Sequence, residues 1–149
     1  VDAAIHMLDY LRVKANYLPD VIFLLQPTSP LREARDIIAS YDFFNKHKAS
    51  ALVSVCKTHS QIFHIVNNKL RLINKSEVKL INRQEAAPVF KQDGSMIYII
   101  KRETLIKEKD FMPPGTFAYI APKWKAVDID EMEDFKLAEV LYKNRKYFN

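Results

Sequence analysis

The stretch Gln26-Pro27-Thr28-Ser29-Pro30-Leu31-Arg32 limits the fold more than any other. It follows the apolar run Val21–Leu25 and precedes a helical pattern on Ile37, Ile38, Tyr41 and Phe44. Each proline removes a backbone N–H and fixes φ, so neither a sheet ladder nor a helix can run through it. An apolar run without alternation reads as a fully buried strand, central and parallel. The chain must therefore leave a buried strand, turn through a stiff polar loop and enter a helix. Gln26, Thr28, Ser29 and Arg32 are then placed at the carboxyl end of a strand, where open α/β sheets bind ligands. The same residue types also serve as helix caps, and the loop alone does not decide between the two roles.

The remaining periodicities fit an α/β fold. Ala3, Ala4, Met7, Leu8 and Leu11 form a helical stripe that ends before Pro19. Ala51–Cys56 is a second strand. Ile62–Val66, Asn67-Asn68 and Lys69–Ile73 read as a β-hairpin, since Asn tolerates the turn dihedrals. Asp93-Gly94 is a turn before a strand at Met96–Ile100. Arg102–Lys109 is a short helix and Phe111–Gly115 a loop. Tyr119-Ile120 and Ala126–Ile129 are short strands. A last helix runs over Glu131–Lys146, with Phe135, Ala138, Leu141 and Tyr142 inward. This predicts one domain over residues 1–149, a Rossmann-like, mostly parallel sheet flanked by helices, with the hairpin as an excursion.

Composition narrows the function. The chain has 149 residues, enough for one core. Its net charge of +5 suits an anionic ligand, but the 23 basic residues form no tract, which disfavours nucleic acid. No apolar run approaches the roughly 18 residues of a membrane span. Cys56 is the single cysteine, so there is no internal disulfide, as fits a reducing cytoplasm; its strand setting reads as a buried, inert thiol. The four histidines lack zinc-ligand spacing, and no nucleophile elbow is present. The only glycines are Gly94 and Gly115, and neither opens a helix, so a Gly-rich phosphate loop cannot be built from residues 1–149.

Asp128 and Asp130 stand two apart on an expected strand, which would point both carboxylates to one face. A hard divalent cation would relieve their repulsion. The alternative is that Asp130 caps the last helix while Asp128 sits in water. Arg83 could grip a carboxylate or phosphate with its planar fork, or be a solvated surface arginine. Tyr98 could be core or present its hydroxyl to a site, and Lys57, His59 and His64 could form one polar wall.

Three segments carry a resemblance, in order along the chain: Leu24 through Arg32; Arg83-Gln84 with Pro88 and Asp93–Ile99; and Val127–Asp130 running into Asp134–Glu139. Together they resemble the acylneuraminate cytidylyltransferases, the CMP-sialic acid synthetase family, from Val21 to Leu141. The resemblance implies a nucleotide-diphospho-sugar transferase fold. It also implies cytidylyl transfer from CTP to a nonulosonic acid, with Mg²⁺ held by Asp128 and Asp130. Gln26, Thr28, Ser29 and Arg32 would line the pocket, with Asp93, Gly94 and Tyr98 beside them, and Arg83 would meet the sugar carboxylate. The family usually has Asn where Asp93 stands; the turn survives that change but an amide donor does not. A homodimer is implied, with residues 57–82 and 111–115 as the expected contact. The family carries its phosphate loop near the N-terminus, before the part matched here. The expectation is thus an N-terminally incomplete fragment, inactive on CTP alone, with an open sheet edge where upstream elements belong. The alternatives are an enzyme for another sugar acid such as 3-deoxy-manno-octulosonate, or a silent sugar-acid or partner-binding module.

Overall fold

A computed structural model of the chain describes residues 1–58, 62–73, 88–92 and 96–148. The elements run α1 (Asp2–Ala15), β1 (Val21–Leu24), α2 (Ala34–Lys46), β2 (Ala51–Thr58), β3 (Phe63–Val66) and β4 (Lys69–Leu72). They continue as β5 (Val89–Lys91), β6 (Tyr98–Lys101), α3 (Arg102–Glu108), β7 (Phe117–Ile120) and α4 (Met132–Lys143). The five-stranded sheet has the order β1-β6-β2-β5, with β7 also pairing β2. It is mixed. β1 and β2 are each antiparallel to β6, and β7 is parallel to β2, so β1, β2 and β7 point one way.

Period-2 alternation explains why the apolar runs lack a polar face. Val21 and Phe23 pack with Leu52, Ile97, Ile99 and the α2 residues Ile37 and Phe44 on one side of the sheet. Ile22 and Leu24 pack with Ile100, Leu8 of α1 and Leu105 of α3 on the other. Both faces are covered, as α/β layering requires.

β1 differs from expectation in two ways. It meets a strand only on the β6 side among the described residues, and antiparallel rather than parallel. All four of its residues are half-buried rather than fully buried. A strand with one open edge loses cover along that edge even when both faces are packed. Ala126–Ile129 is not a strand either. A 3-10 turn at Lys123–Lys125 precedes it, and the segment continues without ladder pairing to α4.

Two helix stripes are rotated from those expected. In α1 the inward residues are Ala4, Ile5, Leu8 and Leu11, while Met7 is 52% exposed. In α4 Ala138 is buried, but Phe135 and Tyr142 are both exposed. The hairpin forms as read: β3 and β4 pair antiparallel around Asn67 (φ 51°) and Asn68 (φ 59°), the left-handed turn that asparagine accepts. Asn74–Asn82 of the excursion lies outside the described residues. No described helix is long and apolar enough to cross a membrane.

Candidate functional site

The loop after β1 opens with a turn in which the Ser29 N–H meets the Gln26 carbonyl at 3.4 Å, and Pro27 sits where a preset φ favours it. Arg32 then fixes the loop to the sheet: its Nη1 donates to the Gln26 carbonyl (3.2 Å) and the Met96 carbonyl (2.6 Å). Burial lowers the Arg32 pKa and the nearby Asp36 opposes that shift. Arginine remains charged in any case.

Neither Thr28 nor Ser29 caps α2. The cap is Glu33, in a reciprocal box with Asp36 three residues on: the Glu33 N–H donates to Asp36 Oδ2 at 2.8 Å. The same device opens α4, where Glu131 caps and Asp134 accepts its N–H at 2.9 Å. Asp130 is therefore not the cap. The capping alternatives for Thr28, Ser29 and Asp130 are all filled by other residues.

The loop and the acidic segment meet. The Ile129 N–H donates to the Thr28 carbonyl at 2.9 Å. This single backbone bond, flanked by Asp128 and Asp130, brings together two stretches about a hundred residues apart in sequence, at the carboxyl end of β1. Ser29 is 1% exposed and Asp128 half-buried. Ser29 Oγ and Asp128 Oδ1 are buried and have no hydrogen-bond partner among the described residues. Buried polar atoms are nearly always paired, so each of these two oxygens calls for a partner from outside the described residues, such as an ordered water, an ion or a substrate group. Asp130 is exposed.

Oxygen donors of this kind suit a hard cation. No group of three or more His, Cys, Asp or Glu side chains that could hold a metal occurs among the described residues. Because the segment is not a strand, the two-residue spacing no longer sets the Asp128 and Asp130 carboxylates on one face: Asp128 is half-buried and Asp130 exposed.

Tyr98 opens β6, opposite Leu24, and so stands at the same sheet edge. Its hydroxyl accepts a hydrogen bond from Gln92 Nε2, and its ring meets Phe111 edge-on. Gln26 and Thr28 are half-buried. Arg83, Asp93, Gly94 and His59 lie outside the described residues. Lys57 and His64 are exposed. Cys56 is 1% exposed and carries no disulfide.

Sequence reasoning missed Lys125. It is 2% exposed, and its Nζ donates to Glu33 Oε2 (2.7 Å) and to both oxygens of Asp36 (2.9 and 2.7 Å). The Lys125 bond, and then Arg35, hold the Glu33 carboxyl below its usual range. The box formed by Glu33 and Asp36 is not the usual Ser/Thr-x-x-Glu/Gln pattern, so the sequence does not mark them as caps. Nothing local marks Lys125 as buried.

Among the described residues, two clefts stand out as large enough for a small molecule. One, of about 450 Å³, is lined by Ser50, Thr104, Lys107 and Pro113–Thr116, at the start of β2 and so at the edge opposite the loop. The other, of about 430 Å³, is lined by Cys56, Trp124, Val127 and Leu137. It reaches Val127, next to Asp128, but neither cleft is lined by Thr28, Ser29, Asp128 or Asp130.

The chain is 31% identical over 115 residues to the N-acylneuraminate cytidylyltransferase of Streptococcus agalactiae serotype III, covering 75% of this chain and 28% of that protein. It is 30% identical over 128 residues to the N-acylneuraminate cytidylyltransferase of Escherichia coli O18:K1:H7, covering 83% and 30%. It is 25% identical over 145 residues to the post-translational flagellin modification protein B of Campylobacter coli, covering 97% of this chain and 60% of that one. The chain thus spans less than a third of the length of these cytidylyltransferases. No family model matches it.

Proposed function

Because the chain belongs to the acylneuraminate cytidylyltransferase family, we propose that it forms the sugar-acid and metal side of a site that transfers a cytidylyl group from CTP to a nonulosonic acid. The observation that carries this reading is the Ile129–Thr28 bond, which seats the acidic segment on the polar loop beside two orphaned buried oxygens.

The reaction joins the anomeric oxygen of the sugar acid to the α-phosphorus of CTP and releases pyrophosphate. Such a transfer depends on in-line positioning and charge neutralisation more than on a protein nucleophile. Asp128 and Asp130 would hold Mg²⁺, which when bound neutralises phosphate charge. Ser29 Oγ, enclosed and unpaired, offers a hydroxyl to a polar group of the substrate. Thr28 and Gln26 border it. Arg32 acts on the loop, which it clamps to the Met96 carbonyl. Gln92 orients the Tyr98 hydroxyl at the rim. Arg83, Asp93 and Gly94 enter by family resemblance, Arg83 for the sugar carboxylate.

A homodimer belongs to the proposal. The directly opposed Ile65 and Leu70 of the hairpin are 74% and 67% exposed, and Phe63 on the same face is 42% exposed. Such an apolar face suits a second copy.

The test is Mg²⁺-dependent pyrophosphate release from CTP by the whole gene product. N-acetylneuraminate, other nonulosonic acids and 3-deoxy-manno-octulosonate are offered in turn. Release that requires both metal and a nonulosonic acid is expected. No release with any of them overturns the proposal, and preference for 3-deoxy-manno-octulosonate replaces the substrate. Residues 1–149 alone, with no Gly-rich loop, are expected to be inactive.

A further inference from the structure

Taking the proposed function as its ground, we infer that Lys125 is a positioning residue: through Asp36 and Glu33 it fixes the segment bearing Asp128 against the loop bearing Ser29. Lys125 lies three residues before Asp128, and the Ile129 N–H bond to Thr28 lies one residue after it. Asp128 is therefore held from both sides, once by an ion pair to the first turn of α2 and once by a backbone bond to the loop that leads into α2.

The ion pair is suited to that task. An ammonium has three protons, and the three Nζ contacts to Glu33 and Asp36 occupy them. At 2% exposure the ammonium is enclosed, and the Asp36 carboxylate with it, while Glu33 stays partly exposed and also pairs Arg35. The carboxylates are fixed in turn, since Asp36 also accepts the Glu33 N–H. Tyr119, whose pKa is raised by burial and by Asp36, packs in the same core layer. A buried pair of this kind adds little net stability over apolar packing but fixes one register of two segments. Here the register fixed is that of the acidic segment on the loop. Lys125 bonds Glu33 and Asp36 rather than Asp128 itself, and sets where Asp128 stands through the short stretch of backbone between them.

The experiment uses Mn²⁺ alone as the probe, titrated into the whole gene product and followed by the EPR signal of the free ion. Three variants are compared: Lys125→Met, Lys125→Arg, and Lys125→Met with Asp36→Asn. The double variant removes both charges while the asparagine can still accept the Glu33 N–H. It is expected to keep a cooperative melt and to bind Mn²⁺ about 10-fold more weakly. Lys125→Arg should restore most of that affinity. In turnover the Mg²⁺ concentration at half-maximal rate should rise by a similar factor, with a smaller change in KM for CTP. A double variant that melts cooperatively and binds Mn²⁺ as tightly as the unaltered protein overturns the inference. So does loss of the cooperative melt in all three, which would make Lys125 a determinant of folding alone. If the unaltered protein binds no Mn²⁺, or Asp128→Asn binds it unchanged, the proposed function fails, and the inference with it.

Discussion

Ser29 and Asp128 each bury a polar oxygen that no described residue satisfies. An unpaired buried hydroxyl costs about 1–3 kcal/mol. Ser29→Ala is therefore expected to leave the melting temperature unchanged or slightly raised while weakening substrate binding. Calorimetry beside steady-state kinetics checks this, and a lower melting temperature would mean that the hydroxyl has a structural partner. Asp128→Asn keeps the shape and removes the charge. It should lower Mg²⁺-dependent pyrophosphate release by at least about 10-fold, since even outer partners of a metal ligand carry that much. Asp130→Asn should act in the same direction, and normal turnover in both variants would remove the metal from this segment. The residue types at 26–32 were legible as polar groups at a strand end, whereas the strand expected to carry Asp128 does not form. Which polar groups lack a partner was not legible, because the alternatives, caps for α2 and α4, were filled by Glu33 and Glu131.

At the scale of elements, the start of α2 is tied to a segment far along the chain. Lys125→Met leaves the Asp36 carboxylate buried without its cation. Breaking one side of a buried pair costs about 3–5 kcal/mol, so urea unfolding should show a loss of that order. Adding Asp36→Asn should recover most of it. Glu33 adds a pH dependence whose sign follows from its lowered pKa. A carboxyl lowered on folding contributes stability above its unfolded value, near the reference of 4.5. It loses that contribution as pH falls through the folded value. Thermal melts of the unaltered protein should therefore fall more steeply below that point than those of Glu33→Gln, which keeps the capping oxygen. The two should converge in acid. Parallel curves at every pH would show that the Lys125–Glu33 bond contributes nothing.

Across the whole molecule, three α/β layers place the loop, the acidic segment and Tyr98 at one end of the sheet. The hairpin is a separate pair of strands, β3 with β4, with an apolar face. Ile65→Asp with Leu70→Asp should shift the proposed dimer toward monomer in sedimentation velocity. The melt of the five-stranded sheet should change little, because these side chains are not in either core cluster. An unchanged sedimentation coefficient in a protein that starts as a dimer would move the contact elsewhere.

The sequence alone determined what depends on neighbours along the chain. Two prolines forced the loop after Leu24, Asn67-Asn68 forced the hairpin turn, and period-2 runs without polar residues announced a sheet covered on both faces. These are local sterics and local burial, and they act within a few residues. Direction and partners were decided by the tertiary structure. β6 enters between β1 and β2 and runs against both, so β1 became a half-buried, antiparallel strand. Ala126–Ile129 carries the apolar pattern of a strand, yet its backbone is spent on Thr28 rather than on a ladder. Met7, Phe135 and Tyr142 face outward because helix stripes several residues wide can turn to suit whatever packs against them. The burial of Lys125 was the least legible of all. A lysine can be enclosed only where carboxylates are already waiting, and Glu33 and Asp36 lie some ninety residues away, brought within 3 Å by the fold and by nothing in the sequence around residue 125.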